Sequence, residues 1–263
     1  LVERYGCCGG LWTAGLVLIV LATHDRSSSP HRKMVQGIGD EILARIAQCK
    51  NGAINYDPES TRDATTDPEV TKYVLADMLQ ETGVAIVLHG WVTNAIMEEN
   101  RIQGVLFESK SGCLAVRAKV VVDASGDGDV LDAAGAECIP HVHRIGLVHR
   151  LGNVVVSGDT KGLNLGGLTP IPGVRWLNMQ GPQGDCLDFE MLTKVELDAR
   201  NAIWKRLKDI QDSPGYENVF LLDVASQLGV RASRTLVGET ELTIEDWENK
   251  RDYPDLIGIG GNY

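Results

Sequence analysis

Two stretches in the first half of the chain carry apolar residues at the three- and four-residue spacing of an amphipathic helix. In the first they are Val35, Ile38, Ile42 and Ile46, and in the second Val70, Val74, Met78 and Leu79. Glycines stand at the start of the first stretch. Asp67 and Pro68 supply an N-cap and a first-turn proline to the second, and Gly83 marks its end. The pattern therefore predicts two helices.

A different pattern follows directly, with short apolar runs separated by turn residues such as Asn100 and Ser111-Gly112. It predicts strands over 84–88, 91–97, 101–108 and 114–123, of which the middle members form a small meander. The last run contains Val120, Val121 and Val122 in succession. An unbroken β-branched run of this kind is typical of a strand buried on both faces of a parallel sheet.

The character of the chain changes again near residue 139, where Gly and Pro become frequent among short β-like pieces. A long amphipathic helix is then predicted, with Leu192, Val195, Ala199, Ala202, Ile203, Leu207 and Ile210 on one face. A shorter helical segment is expected over 224–238. These shifts predict a first domain over 1–139, a second over 140–225 and a helical return over 226–263.

The apolar run over 11–22 has two interpretations. It is shorter than the roughly 18 residues that cross a bilayer, yet long enough for the core of a secretory signal peptide. Glu3 is at odds with the basic start of such a peptide, and Gly9-Gly10 indicates a tight turn into a buried helix. We favour the buried helix. Because the chain begins with Leu1 and the first residues resemble the end of a buried strand, we expect it to be a piece of a longer polypeptide.

Charge and composition narrow the function classes. Among 263 residues, Lys+Arg number 25 and Asp+Glu 36, which leaves a net charge of −11. Without a basic run, a nucleic-acid or anionic membrane partner is not expected. The 29 glycines favour a dinucleotide-binding α/β enzyme over a helical bundle. The 6 cysteines form no CxxC pair and no zinc or iron–sulfur spacing, so we expect reduced thiols, no metal and a cytoplasmic protein.

A first candidate site lies at the very start of the chain. Glu3 follows an apolar strand fragment, where dinucleotide-binding folds place the acid that accepts the ribose hydroxyls. Arg4 can meet a phosphate or an adenine edge, Gly9 and Gly10 allow close backbone approach, and Thr13 can cap the next helix. A plain glycine turn between a strand and a helix explains the same residues without a ligand.

A second candidate site is the turn Asp123-Ala124-Ser125-Gly126-Asp127 after the valine run. Small residues at a strand end leave backbone NH groups bare at the carboxyl edge of a sheet, where α/β proteins bind ligands. Asp127 or Asp129 is expected to cap the following helix. A capping turn without a ligand is the alternative.

Several of these segments together resemble the FAD-dependent oxidoreductase family, two-domain flavoproteins related to the flavoprotein subunit of heterodisulfide reductase. They are LVERYGCCGGLWTAGLV, residues 67–130, NMQGPQGDCLD and FLLDVASQLGVRASRTLVGETELTIEDW. The resemblance implies an α/β fold, with a Rossmann-like FAD/NAD(P)-binding domain, a three-stranded β meander and a second α+β cap domain. It also implies an FAD cofactor, and by match to the motifs it nominates Glu3, Arg4, Gly9, Gly10, Thr13, Val92, Asp123, Ala124, Ser125, Gly126 and Asp127.

Two features depart from that family. The GxGxxG loop, expected roughly 20 to 30 residues before Glu3, is absent, and so is the C-terminal segment that closes over the flavin. Cys7 and Cys8 also replace larger apolar residues. We therefore expect an incomplete cofactor site.

Two weaker candidates stand outside these motifs. Arg231 and Arg234, three residues apart on a predicted helix, are the candidate catalytic residues for a substrate anion or reduced flavin; an ion pair with Glu239 or Glu241 is the competing interpretation. His141, His143 and His149 lack the spacing of a metal site, so no metal is expected.

The function implied is hydride or electron transfer through flavin N5 on an unidentified small molecule. The second hypothesis is an electron-transferring flavoprotein subunit that works with iron–sulfur partner proteins. The third hypothesis is a non-catalytic module that does not retain FAD.

Overall fold

A computed structural model of the chain describes residues 1–21, 23–25, 27, 29, 31–56, 62–156, 160, 162–178, 181–249 and 251–254. In the first part, the elements are a 3-10 helix at Gly10–Trp12, β1 (Ile19–Val20), β2 (His24–Asp25), β3 (Arg32–Lys33), α1 (Ile38–Gln48), β4 (Ala53–Ile54), β5 (Ala64–Thr66) and α2 (Pro68–Glu81). Strand β5 pairs antiparallel with both β1 and β4, and β2 pairs with β3.

The two predicted helices are confirmed as α1 and α2. Helix α1 starts after Gly37, whose φ is 70°, and buries Leu43 and Ile46. Helix α2 is capped by the Asp67 side chain, which accepts hydrogen bonds from the backbone NH groups of Glu69 at 3.0 Å and Val70 at 3.1 Å. The capping residues were therefore a sound guide to where α2 begins.

The helix predicted within 11–22 is wrong, although the segment is buried. Helical structure stops at Trp12, and the chain then turns through residues 13–15 and Leu16, whose φ is 54°, before buried Leu18 leads into β1. The NH of Thr66 donates to the carbonyl oxygen of Leu18 at 3.0 Å. The β-branched residues near Ile19 favour this pairing over a helix, and the burial fits a core segment better than a signal peptide.

The meander is confirmed as β6 (Trp91–Glu98), β7 (Arg101–Ser109) and β8 (Gly112–Arg117), which pair antiparallel in chain order. The first of the four predicted strands, over 84–88, contributes a single parallel bridge between Val87 and Val2. A short helix, α3 (Asp129–Ala133), packs against β6.

The buried strand predicted at the valine run is wrong. The strand β8 ends at Arg117, and Val120 and Val122 are 79% and 81% exposed. No described strand pairs with residues 119–123. An apolar run forms a strand only where a neighbour takes up its backbone hydrogen bonds, and the described residues supply none here.

The second part of the chain is built around one long helix. Its elements are β9 (Cys138–Pro140), β10 (Val142–Arg144), β11 (His149–Gly152), β12 (Gly167–Leu168), β13 (Arg175–Leu177), β14 (Gln183–Asp185), α4 (Phe189–Gln211), β15 (Phe220–Val224), β16 (Arg234–Leu236) and α5 (Ile244–Glu248). Strands β12, β13, β11 and β15 form an antiparallel sheet in that order. The predicted long helix is confirmed as α4, which Asp188 caps.

The helix predicted over 224–238 is wrong. This stretch contains the end of β15, a bridge between Gly229 and Gly146, and β16, which pairs antiparallel with β9. Pairing with an available strand outweighs the weak helical spacing of its apolar residues. The helix in the predicted return, α5, begins later, at Ile244.

A continuous core joins the two parts of the chain. Leu151, Leu177, Leu207 and Ile210 fill the space between the four-stranded sheet and α4. Leu16 and Leu18 extend that core, because they pack with Leu147, Val148 and Ile203. The domain limits at 139/140 and 225/226 stay a prediction. None of the helices in the described residues has the length and apolar character needed to cross a bilayer.

A buried ion pair network reinforces the same junction. The side chain of Arg150, in β11, is 7% exposed and pairs with Asp67 at 3.3 Å and with Asp223 of β15 at 2.5 Å. A buried guanidinium between two carboxylates compensates both charges, and removing it would leave them without a partner.

Arg150→Met should lower the free energy of unfolding by about 3 to 5 kcal/mol, the usual cost of breaking a buried pair. The control is Arg200→Met, which removes the exposed pair with Glu196 on α4 and should cost about 1 kcal/mol or less. Urea unfolding of both variants is the measurement. Equal losses in the two variants would contradict the role assigned to Arg150.

Candidate functional site

The first residues of the chain run beside the segment that precedes β6. The NH of Glu3 donates to Val87 O at 2.8 Å, and the NH of Gly90 donates to Glu3 O at 3.0 Å. This places Glu3 at the end of a short parallel pairing, as its sequence context predicted. One carboxylate oxygen, Oε1, accepts the NH of Tyr5 at 2.9 Å, and Oε2 has no partner among the described residues.

Arg4 is held by aromatic rings. Its guanidinium lies 4.7 Å from the ring centres of both Tyr5 and Trp91, and it donates to the Tyr5 hydroxyl at 2.8 Å. No acidic side chain of the described residues pairs with it. Cation–π contacts orient the charge without neutralising it, so Arg4 keeps its full attraction for an anion.

The glycine turn that follows Arg4 presents backbone NH groups without acceptors. Gly9 and Gly10 have φ values of 108° and 51°. A Cβ on Gly9 would lie 2.7 Å from the Thr13 side chain, whereas a Cβ on Gly10 would meet nothing within 4 Å. The NH groups of Cys7, Cys8, Gly9 and Gly10 have no acceptor among the described residues. Consecutive free NH groups in such a turn form a concave site for an anion.

The Thr13 side chain does not cap a helix, contrary to expectation. It is fully buried, and its hydroxyl donates to the Cys8 carbonyl oxygen at 2.7 Å. Since no helix follows Thr13, there is nothing for it to cap. Its contribution is to hold the two ends of the glycine turn together.

The second turn is organised by Asp123. Its Oδ1 accepts the NH of Ser125 at 2.9 Å, and its Oδ2 accepts the NH groups of Val130 and Leu131 at 3.1 and 3.0 Å. Burial alone would raise the pKa of Asp123, but the hydrogen bonds from Ser125, Leu131 and Val130 outweigh it and lower that pKa below its ordinary value. The Asp123 carboxylate therefore binds NH groups in the first turn of α3. The sequence predicted that role for Asp127 or Asp129.

The remaining residues of the second turn face outwards or towards β16. The Ser125 hydroxyl accepts the NH of Asp129 at 3.0 Å, and Ala124 is exposed. Gly126 has a φ of 87°, with open space where a Cβ would lie. The NH groups of Gly126, Asp127 and Gly128 have no acceptor among the described residues, so this turn also presents free donors.

Arg231 and Arg234 do not share a helix face, because the segment is extended. Arg234 lies in β16 and pairs with Asp129 at 2.9 Å and Asp132 at 3.4 Å, rather than with Glu239 or Glu241. Its Nη1 also donates to the Asp127 carbonyl oxygen at 3.0 Å. Arg231 is exposed. The geometry makes Arg234 a support for the second turn, and a catalytic role for either arginine stays a prediction.

Ser233 is a residue that the sequence did not point to. It is fully buried, and its hydroxyl donates to Asp127 Oδ1 at 2.8 Å, with the Asp127 carbonyl oxygen 3.2 Å away. Asp127 Oδ2 has no partner among the described residues. No spacing rule could have found Ser233, since its contact crosses 106 positions of the chain.

Strand β6 is the element that both turns share. Arg4, next to the first turn, stacks on Trp91, the first residue of β6, while α3, which follows the second turn, packs against the same strand. Val92 is the next residue of β6, half-buried opposite Phe107. Each predicted site is therefore connected to β6, the first through Arg4 on Trp91 and the second through α3.

The three histidines considered for a metal have other surroundings. The His141 ring lies 2.5 Å from the Thr235 hydroxyl, and His143 Nδ1 accepts the NH of Arg144. Burial and the nearby Arg206 charge lower the pKa of His149 to about 4. Within the described ranges, no three His, Cys, Asp or Glu side chains gather as a metal site requires.

The sequence model of the FAD dependent oxidoreductase family matches residues 1–141 and 162–263. No curated protein matches the chain. Among solved structures, BexE, studied for oxidation during BE-7585A biosynthesis, is similar with a TM-score of 0.51 and 14% identity, over 91% of this chain and 48% of that one. This likeness concerns the fold.

Two further structures are similar at lower scores. A geranylgeranyl bacteriochlorophyll reductase-like protein from Thermoplasma acidophilum has a TM-score of 0.49 and 13% identity, over 86% of this chain and 58% of that one. CabE, an aromatic hydroxylase from angucycline biosynthesis, has a TM-score of 0.48 and 14% identity, over 91% and 54%. The chain spans about half the length of these three proteins.

Asp123→Asn should destabilise the protein by about 1 kcal/mol at pH 7, because a charged acceptor at the start of α3 is lost. The lowered pKa of Asp123 sets the pH dependence: its contribution is full above the ordinary aspartate pKa of about 3.9 and disappears as the pH falls through the lowered value. Urea unfolding between pH 7 and pH 3 measures this. A difference in the free energy of unfolding between the unchanged protein and Asp123→Asn that stays constant down to pH 3 would show that the Asp123 charge does not cause it.

Proposed function

This chain belongs to the FAD dependent oxidoreductase family, and we propose that it holds FAD between its two glycine turns and works as an oxidoreductase on a small organic molecule. The observation that carries the proposal is that two turns with free backbone NH groups are both connected to β6, where Arg4, a cation that no described carboxylate neutralises, stacks on Trp91. Either turn alone is compatible with a purely structural role.

The residues present fit the diphosphate of FAD. A diphosphate needs NH donors and positive charge, and the four free NH groups of residues 7–10 follow Arg4 in the sequence. The open space over Gly10 and Gly126 allows a ligand to reach the backbone at both turns. The net charge of −11 does not oppose this, because an anion bound by fixed donors responds mainly to its immediate surroundings.

The polar ends of the site fit the sugar parts of the cofactor. Glu3 Oε2 is an unpaired acceptor for ribose hydroxyls, and Asp127 Oδ2 is a second unpaired acceptor at the other turn. Val92 offers backbone beside Trp91 to the adenine, as the resemblance implies.

When bound, FAD supplies the redox chemistry, by taking or giving a hydride or electrons at its ring N5. The chain contributes binding and orientation. Thr13 and Asp123 hold the shape of the two turns, Ser233 and Arg234 fix the second turn on β16, and Arg4 balances phosphate charge. No described side chain at the turns is placed as an acid or base for a substrate.

The finer assignments rest on the sequence. Kinship with the flavoprotein subunit of heterodisulfide reductase, and an electron-transfer partner protein, remain proposals. We also propose a cytoplasmic protein without nucleic-acid or membrane partners; the six free cysteines support a reducing location.

The purified protein should take up added FAD at about one molecule per chain, visible as flavin absorbance that remains after gel filtration. A protein that stays colourless with excess FAD would support the competing interpretation, a module of the same fold that does not retain the cofactor.

Glu3→Ala should weaken FAD binding by roughly 5- to 150-fold, the equivalent of about 1 to 3 kcal/mol for a buried hydrogen-bonding partner. Glu98→Ala, which removes an exposed acid from β6, is the matched control and should leave the Kd unchanged. Titration followed by flavin fluorescence gives both values. An unchanged Kd in Glu3→Ala would rule out the role assigned to Glu3.

A further inference from the structure

A cavity of about 540 Å³ lies beside the first half of α4. On the helix side it is lined by Met191, Val195, Ala199 and Ala202, which are spaced by four, four and three residues and so lie on one face. The second half of the same helix packs into the sheet, where Leu207 and Ile210 are buried. The first half of α4 is therefore separated from the wall opposite it, and the small side chains of Ala199 and Ala202 leave space between the two.

The opposite wall is backbone rather than side chain. It consists of Gly146-Leu147 and Gly181-Pro182. The NH of Ile145 donates to Pro182 O at 3.1 Å, and the NH of Gly229 donates to Gly146 O at 2.7 Å. A Cβ on Gly181 would lie 1.9 Å from the Ile145 carbonyl oxygen. These bonds fix the wall, so the cavity cannot close by a simple movement of side chains.

The charged residues that line the cavity neutralise each other. Lys194 and Asp198 pair at 2.5 Å, with side chains 72% and 62% exposed. They form a polar edge without net charge. A charged ligand would lose its hydration against apolar walls with no opposite charge to compensate, whereas an uncharged one would not. A volume of this size suits a small organic ligand.

The cavity is connected to the segment after the first glycine turn through packed residues. Leu147, in its wall, packs with Leu16 and Leu18, the continuation of the first turn. Val195 packs with Cys186. Burial raises the pKa of the Cys186 thiol, although a backbone hydrogen bond with His143 acts in the opposite direction.

We propose that this cavity binds an uncharged, largely apolar organic molecule. The further claim, that this molecule represents the substrate class of the enzyme, rests on the proposed function. The claim that the cavity binds it does not depend on that function.

The test uses two fluorescent probes with the same aromatic skeleton. N-phenyl-1-naphthylamine is uncharged, and 8-anilino-1-naphthalenesulfonate carries one negative charge. The first should bind saturably at one molecule per chain, and the second at least ten-fold more weakly. Absence of saturable binding by the uncharged probe would overturn the proposal, and equal affinity for the two would overturn the assignment of an uncharged ligand.

Two tryptophan variants test whether the uncharged probe binds in the cavity. Ala202→Trp places a large ring in the cavity from an exposed helix position and should weaken N-phenyl-1-naphthylamine binding at least ten-fold. Asn201→Trp adds the same ring at the adjacent exposed position, outside the lining, and should have no effect. Equal affinities in the two variants would place the probe elsewhere and overturn the proposal.

FAD titration of the same proteins separates the two claims. Unchanged FAD binding in Ala202→Trp, together with lost probe binding, supports a cavity separate from the cofactor turns. Probe binding by a protein that takes up no FAD would leave the cavity site standing and refute the proposed function alone.

Discussion

The buried Arg150 guanidinium, placed between Asp67 and Asp223, is the contact through which the two parts of this chain support the first glycine turn. One of its partners, Asp67, also caps α2, and α2 leads into the segment that pairs with Leu1–Glu3 through Val87. The other partner, Asp223, belongs to β15, which continues to Ser226, whose NH and hydroxyl bind the Ala14 carbonyl oxygen. Both routes end beside the glycine turn. A buried charge that must keep two partners therefore constrains where that turn lies.

The acidic side chains of the second turn are held by donors from the chain itself. Backbone NH groups stabilise the charged form of Asp123, and Arg234 pairs with both Asp129 and Asp132. Ser233 binds one oxygen of Asp127. In the proposed complex, the free NH groups of the turns and the unneutralised Arg4 would be the donors and the positive charge that meet a diphosphate.

Much of the fold could be predicted from local patterns. Asp67 and Pro68 marked the start of α2, and the alternation of turns and strands predicted the meander. Local sequence patterns failed where the presence or absence of a partner strand determines whether a segment forms a strand. Val120 and Val122 have the composition of a buried strand but no described neighbour, and Arg234–Leu236 pairs with Cys138–Pro140 in spite of helical spacing. For the site, single motifs pointed to Glu3 and Gly126, whereas Ser233 and the stacking of Arg4 on Trp91 depend on contacts between distant parts of the chain.

The central claim is that the two turns bind one FAD molecule together. Hydrogen–deuterium exchange with and without FAD tests it directly, because the NH groups of residues 7–10 and 126–128 have no acceptor among the described residues and should exchange fast until a ligand occupies them. We expect FAD to slow exchange in peptides covering 3–13 and 123–131 at the same FAD concentration, with no change over 203–211 in α4. Protection of only one turn, or of neither, would contradict the account.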